Sequence, residues 1–197
     1  MKNVALFLIA ALIFWYVFIR EDSVSYGPGV LAPEVPIQTK SVNGESFSFK
    51  GYTLTPLADY HLTAKVLSKE SYSHDRESDL APVDLALGWR EMSDESNLAR
   101  IEITQSGRWY RWRSDNLPVP RSVVERNSAN THIIPADGAV ETLLKAVRKG
   151  DIVELRGKLV KVEAEDGWHW VSSLTRNDTG SGACEVMYVD SLYVKKL

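Results

Sequence analysis

A single cysteine in 197 residues excludes an internal disulfide framework and any zinc site built from several thiolates. Twelve glycines and eight prolines are too few for a collagen-like or low-complexity chain, and no internal repeat recurs at a fixed period. Neither charge sign dominates. With 23 basic and 26 acidic residues the net charge is −3, so no overall basic field draws the chain to nucleic acid or acidic lipid. What is present is ordinary globular material, 44% hydrophobic and 25% charged, enough for one domain with a small annex.

The one long apolar run lies at the start. Residues 4–19 read VALFLIAALIFWYVFI, with no charge, proline or glycine. As a helix this run covers about 24 Å, a little short of a hydrocarbon core of about 30 Å, and Lys2 and Arg20 can make up the difference by snorkelling. Trp15 and Tyr16 sit near the far end, as aromatic belt residues do. A cleaved signal peptide is the competing reading. It needs small residues at its cleavage site; residues 14–20 supply none, and Ser23, Val24 and Ser25 match weakly. Residues 1–22 are therefore read as a transmembrane anchor. Lys2 on one side, against Arg20 offset by Glu21 and Asp22 on the other, favours export of the rest.

Residues 23–44 contain Gly27, Pro28, Gly29, Pro33, Pro36 and Gly44 with little periodicity, which reads as a flexible tether, with the folded part beginning near Glu45. Strand alternation then dominates. Phe47 and Phe49, then Tyr60, Leu62, Ala64 and Val66, then Val83, Leu85 and Leu87 each mark one buried face, and Ile101 and Ile103 open a further strand. Ser106 and Gly107 suit a turn into residues 108–113 (RWYRWR). Ser93 with Asp94 and Glu95 looks like a helix start, and Ser122 with Glu125 looks like a capping box. Asp137 can cap a helix whose apolar face is Ala139, Val140, Leu143, Leu144 and Val147, with Gly150 closing it. Beyond it, apolar positions are odd at Val153 and Leu155 but even at Val160, Val162 and Ala164. Gly157 then marks either a bulge in one bent strand or a turn between two. Asp166 and Gly167 form a hairpin turn signal, and Cys184, Val186, Tyr188, Leu192 and Val194 alternate along a last strand.

The expected fold is mainly β (α+β). Residues 45–134 form a β-rich region, and 135–197 a helix plus a curled sheet or partial barrel of the oligonucleotide/oligosaccharide-binding (OB) type, packed together as one unit. Two stretches, APVDLALGW at 81–89 and SLTRNDTGSGACE at 173–185, resemble segments of uncharacterised, single-span bacterial membrane proteins, over most of residues 45–197. The resemblance implies a bacterial envelope setting, with the chain single-pass in the inner membrane and its C-terminal domain periplasmic. It implies no activity.

Four groups of residues invite a chemical reading. Cys184 follows a glycine-rich run whose N–H groups suit an oxyanion, with His169 as base and Asp178 as its orienting partner; a small buried strand cysteine explains the same pattern. His74, Asp75, Glu77 and Asp79 offer oxygen ligands, but Arg76 interrupts them and the required glycine is missing, so a solvated loop is the better reading and no metal or cofactor is expected. His61 and His132 read as hydrogen-bonded sheet residues. Residues 108–113 interleave arginines with aromatics as a single-strand nucleic-acid clamp does, yet alternation divides the charges between two faces. Trp168 and Trp170, with Arg176 and Asp178, form the candidate ligand-binding group, suited to a sugar ring or a peptide, with core packing as the alternative. Together these favour a membrane-tethered, exported binding or assembly module without catalysis. Its expected partners are the bilayer through residues 4–19 and an envelope protein or glycan, not nucleic acid. A Cys184 hydrolase or transferase, and single-strand binding through 108–113, stand as alternatives.

Overall fold

The computed structural model describes residues 23–40, 44–176, 180 and 182–196. The expected anchor at 1–22 lies outside them, as does Asp178. Among the described residues no helix is long and apolar enough to cross a membrane.

Alternating sequence becomes strand along most of the chain: β1 (Ile37–Lys40), β2 (Phe47–Phe49), β3 (Tyr52–Ser71), β4 (Val83–Gly88), β5 (Glu102–Ser106), β6 (Trp109–Arg113), β7 (Ser128–Pro135), β8 (Ile152–Glu163), β9 (His169–Val171) and β10 (Glu185–Lys195). Among the described residues three short α-helices intervene, α1 (Glu95–Leu98), α2 (Arg121–Arg126) and α3 (Gly138–Ala146), with 3-10 turns at Arg76–Asp79 and Arg90–Ser93. Five strands close a ring in the order β3, β4, β7, β10, β8 and back to β3. Every contact in the ring is antiparallel except β7 with β10, and α3 fills the connection from β7 to β8. β1 and β2 add to β3, β9 adds to β8, and β5 pairs with β6 as a separate hairpin.

The ring draws β3, β4 and β7 from the 45–134 region and β8 and β10 from 135–197, so the barrel is not confined to the C-terminal part. Its main core joins Tyr60, Leu62, Ala64 and Val66 of β3 to Leu85, Leu87, Leu155, Leu159, Met187 and Val189. α3 lays Val140 and Leu144 on that core while Leu143 stays exposed. Asp137 caps the helix as expected, accepting from the N–H groups of Ala139 and Val140. A second cluster sits beside it, with Leu54, Val160, Val162 and Val186 packed against Phe47, Phe49, Tyr52, Trp168, Trp170 and Tyr188.

The parity change along β8 has a cause other than either expectation. β8 is one strand running through Gly157. Val153, Leu155 and Leu159 pack into the main core, whereas Val160 and Val162, on the opposite face, pack into the second cluster. The hydrophobic pattern switches because a different face becomes covered. The ladder irregularities lie on the partners, at Asp190 of β10 and at Leu57 of β3, directly after Pro56, which has no N–H for the ladder. Gly157 is required for a different reason: a Cβ there would collide with the Tyr188 carbonyl.

The expected tether is a strap. The Val24 N–H donates to the Lys149 carbonyl at 2.8 Å, and Gly150, at φ +92°, must be glycine because a Cβ would strike the Val24 backbone. It therefore does not close α3, which ends at Ala146. Glu95 accepts from Ser25 Oγ and from the N–H groups of Tyr26 and Gly27 at 2.6, 2.9 and 3.1 Å. Asp94 takes the Gly29 N–H, and Ser93 Oγ takes those of Leu31 and Ala32. Ala32 is buried in the main core, and β1 pairs with β3. Residues 23–40 thus belong to the fold, because consecutive side-chain acceptors at Ser93, Asp94 and Glu95 satisfy backbone donors that have no strand partner. Asp94 also caps α1, accepting from the Ser96 N–H. The capping box at Ser122 and Glu125 does not form: Pro120 holds the N-cap position of α2, and Glu125 accepts from Arg121 instead.

Candidate functional site

The β5–β6 hairpin turns through Gly107 and Arg108 alone, both at positive φ, +57° and +67°. A two-residue hairpin loop of the mirror-image type requires this of both positions, and a side chain there is strained. Arg108 compensates with its contacts. Its Nε and Nη2 fork onto Asp75 at 2.8 and 2.7 Å, and its Nη1 donates to Asp84 Oδ1 at 2.7 Å and to the Ala81 carbonyl at 2.9 Å. The guanidinium lies 3.8 Å from the centre of the Tyr72 ring, whose hydroxyl accepts the Arg108 N–H.

Asp84 is fully buried, the one charge in the apolar strand β4. Its Oδ2 approaches His132 Nδ1 to 2.8 Å, at an angle too poor for a hydrogen bond. The His132 ring lies 4.7 Å from the Trp170 ring, tilted by 45° to it. The hydrogen bonds from Arg108 hold the Asp75 carboxyl below the usual carboxylate range against the opposing effect of burial. Burial lowers the pKa of Arg108, and its two carboxylates raise it further than burial lowers it. The arrangement is a partly buried clasp of one guanidinium and two carboxylates that ties the hairpin to β4. Asn130 of β7 completes it by accepting from Gln105 Nε2 at 2.7 Å and donating to the Arg108 carbonyl at 3.3 Å.

The clasp defines a cleft of about 460 Å³ beside it. One wall is β6 with Trp109 and Arg111, the other is the segment carrying Arg176, Cys184 and Glu185, and Asn130 lies between. Tyr110 and Trp112 pack against a third cluster of Leu67, Ala86, Met92, Ile101 and Val124, with the Tyr110 phenol pushed up to about 12 by burial and hydrogen-bonded to Ser128.

The sequence candidates do not assemble as one constellation. Cys184 is partly exposed in the cleft, with Asn130 Nδ2 3.8 Å from its sulfur. The backbone neighbour of Cys184 is Ser173, whose N–H donates to the Cys184 carbonyl. His169 lies four residues earlier, exposed on β9 and outside the cleft lining, with Nδ1 3.5 Å from the Gly167 carbonyl. Trp168 and Trp170 are half-buried on the second cluster, Trp168 beneath the guanidinium of Arg76, and neither lines the cleft. Arg176 does line it, and donates from Nη2 to the Pro36 carbonyl at 2.9 Å. Asp178 is outside the described residues.

Of the oxygen-ligand group, Asp75 is committed to Arg108 and to the Ser78 N–H, His74 to Ser73, and the Asp79 carbonyl to Lys50. Among the described residues no three His, Cys, Asp or Glu side chains gather as metal ligands. Sequence reasoning missed Asp84, Asn130, Tyr72 and the inward role of Arg108. The one visible signal was an aspartate inside the apolar run VDLALG, since a buried charge demands a partner. Compared with protein-family models, curated proteins and solved structures, the chain matches none.

Proposed function

We propose that the chain is a membrane-tethered, exported binding module without catalysis, held in a bacterial inner membrane by residues 4–19 and engaging an envelope component through the cleft beside β6. The cleft carries this reading. Its size falls within the range of small-ligand sites, about 300–1,000 Å³, and its wall mixes an exposed indole, an arginine and polar side chains. The ring order supports an OB-type barrel: taken in chain order the ring strands run 1-2-3-5-4, with the third and fifth parallel and a helix between the third and fourth. The thiol of Cys184, met by an asparagine amide with His169 on another part of the surface, favours binding over covalent catalysis.

Two measurements test the reading. A reporter enzyme active only outside the cytoplasm, fused after Leu197, is expected to be active; a stable but inactive fusion overturns export. Cys184 in the native chain is expected to react with iodoacetamide more slowly than free glutathione, and readily in urea. Native alkylation faster than that of glutathione, abolished by His169→Ala, overturns the non-catalytic assignment.

A further inference from the structure

We infer that the cleft beside β6 receives a small molecule with one flat ring and one anionic group, an inference that deepens the binding-module reading and rests on it. The cleft's charges reach this through elimination. Arg121 is held by Glu125 at 2.7 Å and lies 5.2 Å from the Trp112 ring centre. Arg176 donates from Nη2 to the Pro36 carbonyl at 2.9 Å, and Glu185 lines the same cleft. Arg111 meets no acidic group among the described residues; its one contact there is the Ser106 carbonyl at 3.5 Å. Among the described residues Arg111 is thus a cleft cation with no acidic partner, alongside Trp109, whose indole is 42% exposed.

An exposed indole offers stacking to any flat ring, and an adjacent guanidinium offers a charge-assisted hydrogen bond to an anion. A ligand joining both features in one small body engages Trp109 and Arg111 of the β6 wall at once. A nucleic-acid strand needs a row of free cations along its backbone. On the hairpin that row is missing: Arg108 is spent on Asp75 and Asp84, and Arg113 on Glu102 at 2.7 Å. Among the described residues Arg111 alone of the three meets no acid.

Adenosine monophosphate supplies ring plus anion, adenosine the ring, inorganic phosphate the anion, and a five-residue oligodeoxyadenylate the strand. Calorimetric titration of the detergent-solubilised full chain with each is read alongside protection of Cys184 from alkylation. Adenosine monophosphate is expected to bind at least about tenfold tighter than adenosine or phosphate and to slow alkylation. Arg111→Gln should reduce its affinity to that of adenosine, whereas Trp109→Ala should weaken both ring compounds; both positions are exposed, so unchanged thermal unfolding is the expected control. Equal binding of adenosine monophosphate and adenosine, untouched by Arg111→Gln, overturns the anion assignment and leaves the binding-module reading standing. An oligonucleotide binding far tighter than the mononucleotide overturns the small-ligand assignment. If none of the four binds, the ligand class falls, whereas the module reading itself falls only with the fusion and alkylation results.

Discussion

Leu155 and Arg108 are both central to the molecule, in regions built on different principles. Around Leu155 the barrel is held by many aliphatic contacts from five strands, each weak and each replaceable in part by its neighbours. At the tip of the hairpin a single side chain makes two ion pairs, a carbonyl hydrogen bond and a ring contact. Apolar packing degrades in proportion to the volume lost. A buried ion pair does not, because removing one member leaves the other charged and without water. The barrel is thus tolerant and spread out, whereas the hairpin that forms the cleft wall depends on one residue.

The largest expected effect breaks the second region. Arg108→Met strands Asp84 in the interior and should cost about 3–5 kcal/mol in urea unfolding. Arg108→Met together with Asp84→Leu should recover part of that loss, and a double mutant as unstable as Arg108→Met alone would show that the ion pair is not the cause. Leu155→Ala in the barrel should cost about 2–5 kcal/mol. In hydrogen exchange it should weaken protection across the five ring strands, whereas a conservative Arg108→Lys should weaken it first in β5 and β6. Identical exchange patterns from the two variants would erase the distinction.

Gly150→Ala is a smaller perturbation aimed at the strap. It places a Cβ against the Val24 backbone at a left-handed φ, and should cost about 1–2 kcal/mol locally. Limited proteolysis is expected to cut within residues 23–32 of the variant and to spare them in the parent; equal cleavage would mean that the strap does not depend on this approach.

The smallest effect is electrostatic. Burial opposes ionisation of Glu95, but hydrogen bonds from Lys65, Ser25 and Tyr26 outweigh it and hold its pKa down to about 2, below the ordinary 4.5. Because the folded value is depressed, the stabilisation is complete above about pH 4.5 and is lost as pH falls toward about 2. Lys65 is buried, but it keeps the Gly150 carbonyl and a glutamine still offers it an amide oxygen, so Glu95→Gln should cost about 1 kcal/mol at neutral pH. Exchange of the Tyr26 and Gly27 amides should accelerate below pH 4 in the parent and depend less on pH in Glu95→Gln. An acid response that is the same in both would remove Glu95 from the account.

Legibility in the sequence followed the same division. The alternation from Tyr60 to Val66 and the Asp137-capped helix were readable, since burial of one face imposes a period that a single sequence displays. The parity change at Gly157 was visible and its cause was not, because which face of β8 is covered depends on strands distant in the chain. The strap looked like a linker because its order comes from side-chain acceptors some 65 residues away, and backbone donors leave no trace in composition. At the candidate site, Arg176 and Cys184 were singled out and do line the cleft, but Trp168, Trp170 and His169 were grouped with them by proximity in sequence and lie elsewhere.

By itself the sequence determined that the chain is mainly β, where α3 begins, that a hairpin turns at Asp166 and Gly167, and that the charges of residues 108–113 divide between two faces. These follow from local periodicity, capping chemistry and turn geometry, which act over a few residues. Only the tertiary structure decided that β8 returns to β3 and closes the ring, that Arg108 turns inward to Asp75 and Asp84, and that Arg111 is the arginine of residues 108–113 left without an acid among the described residues. Ring closure and charge compensation both depend on which distant residues become neighbours, and that is settled by packing the whole chain at once.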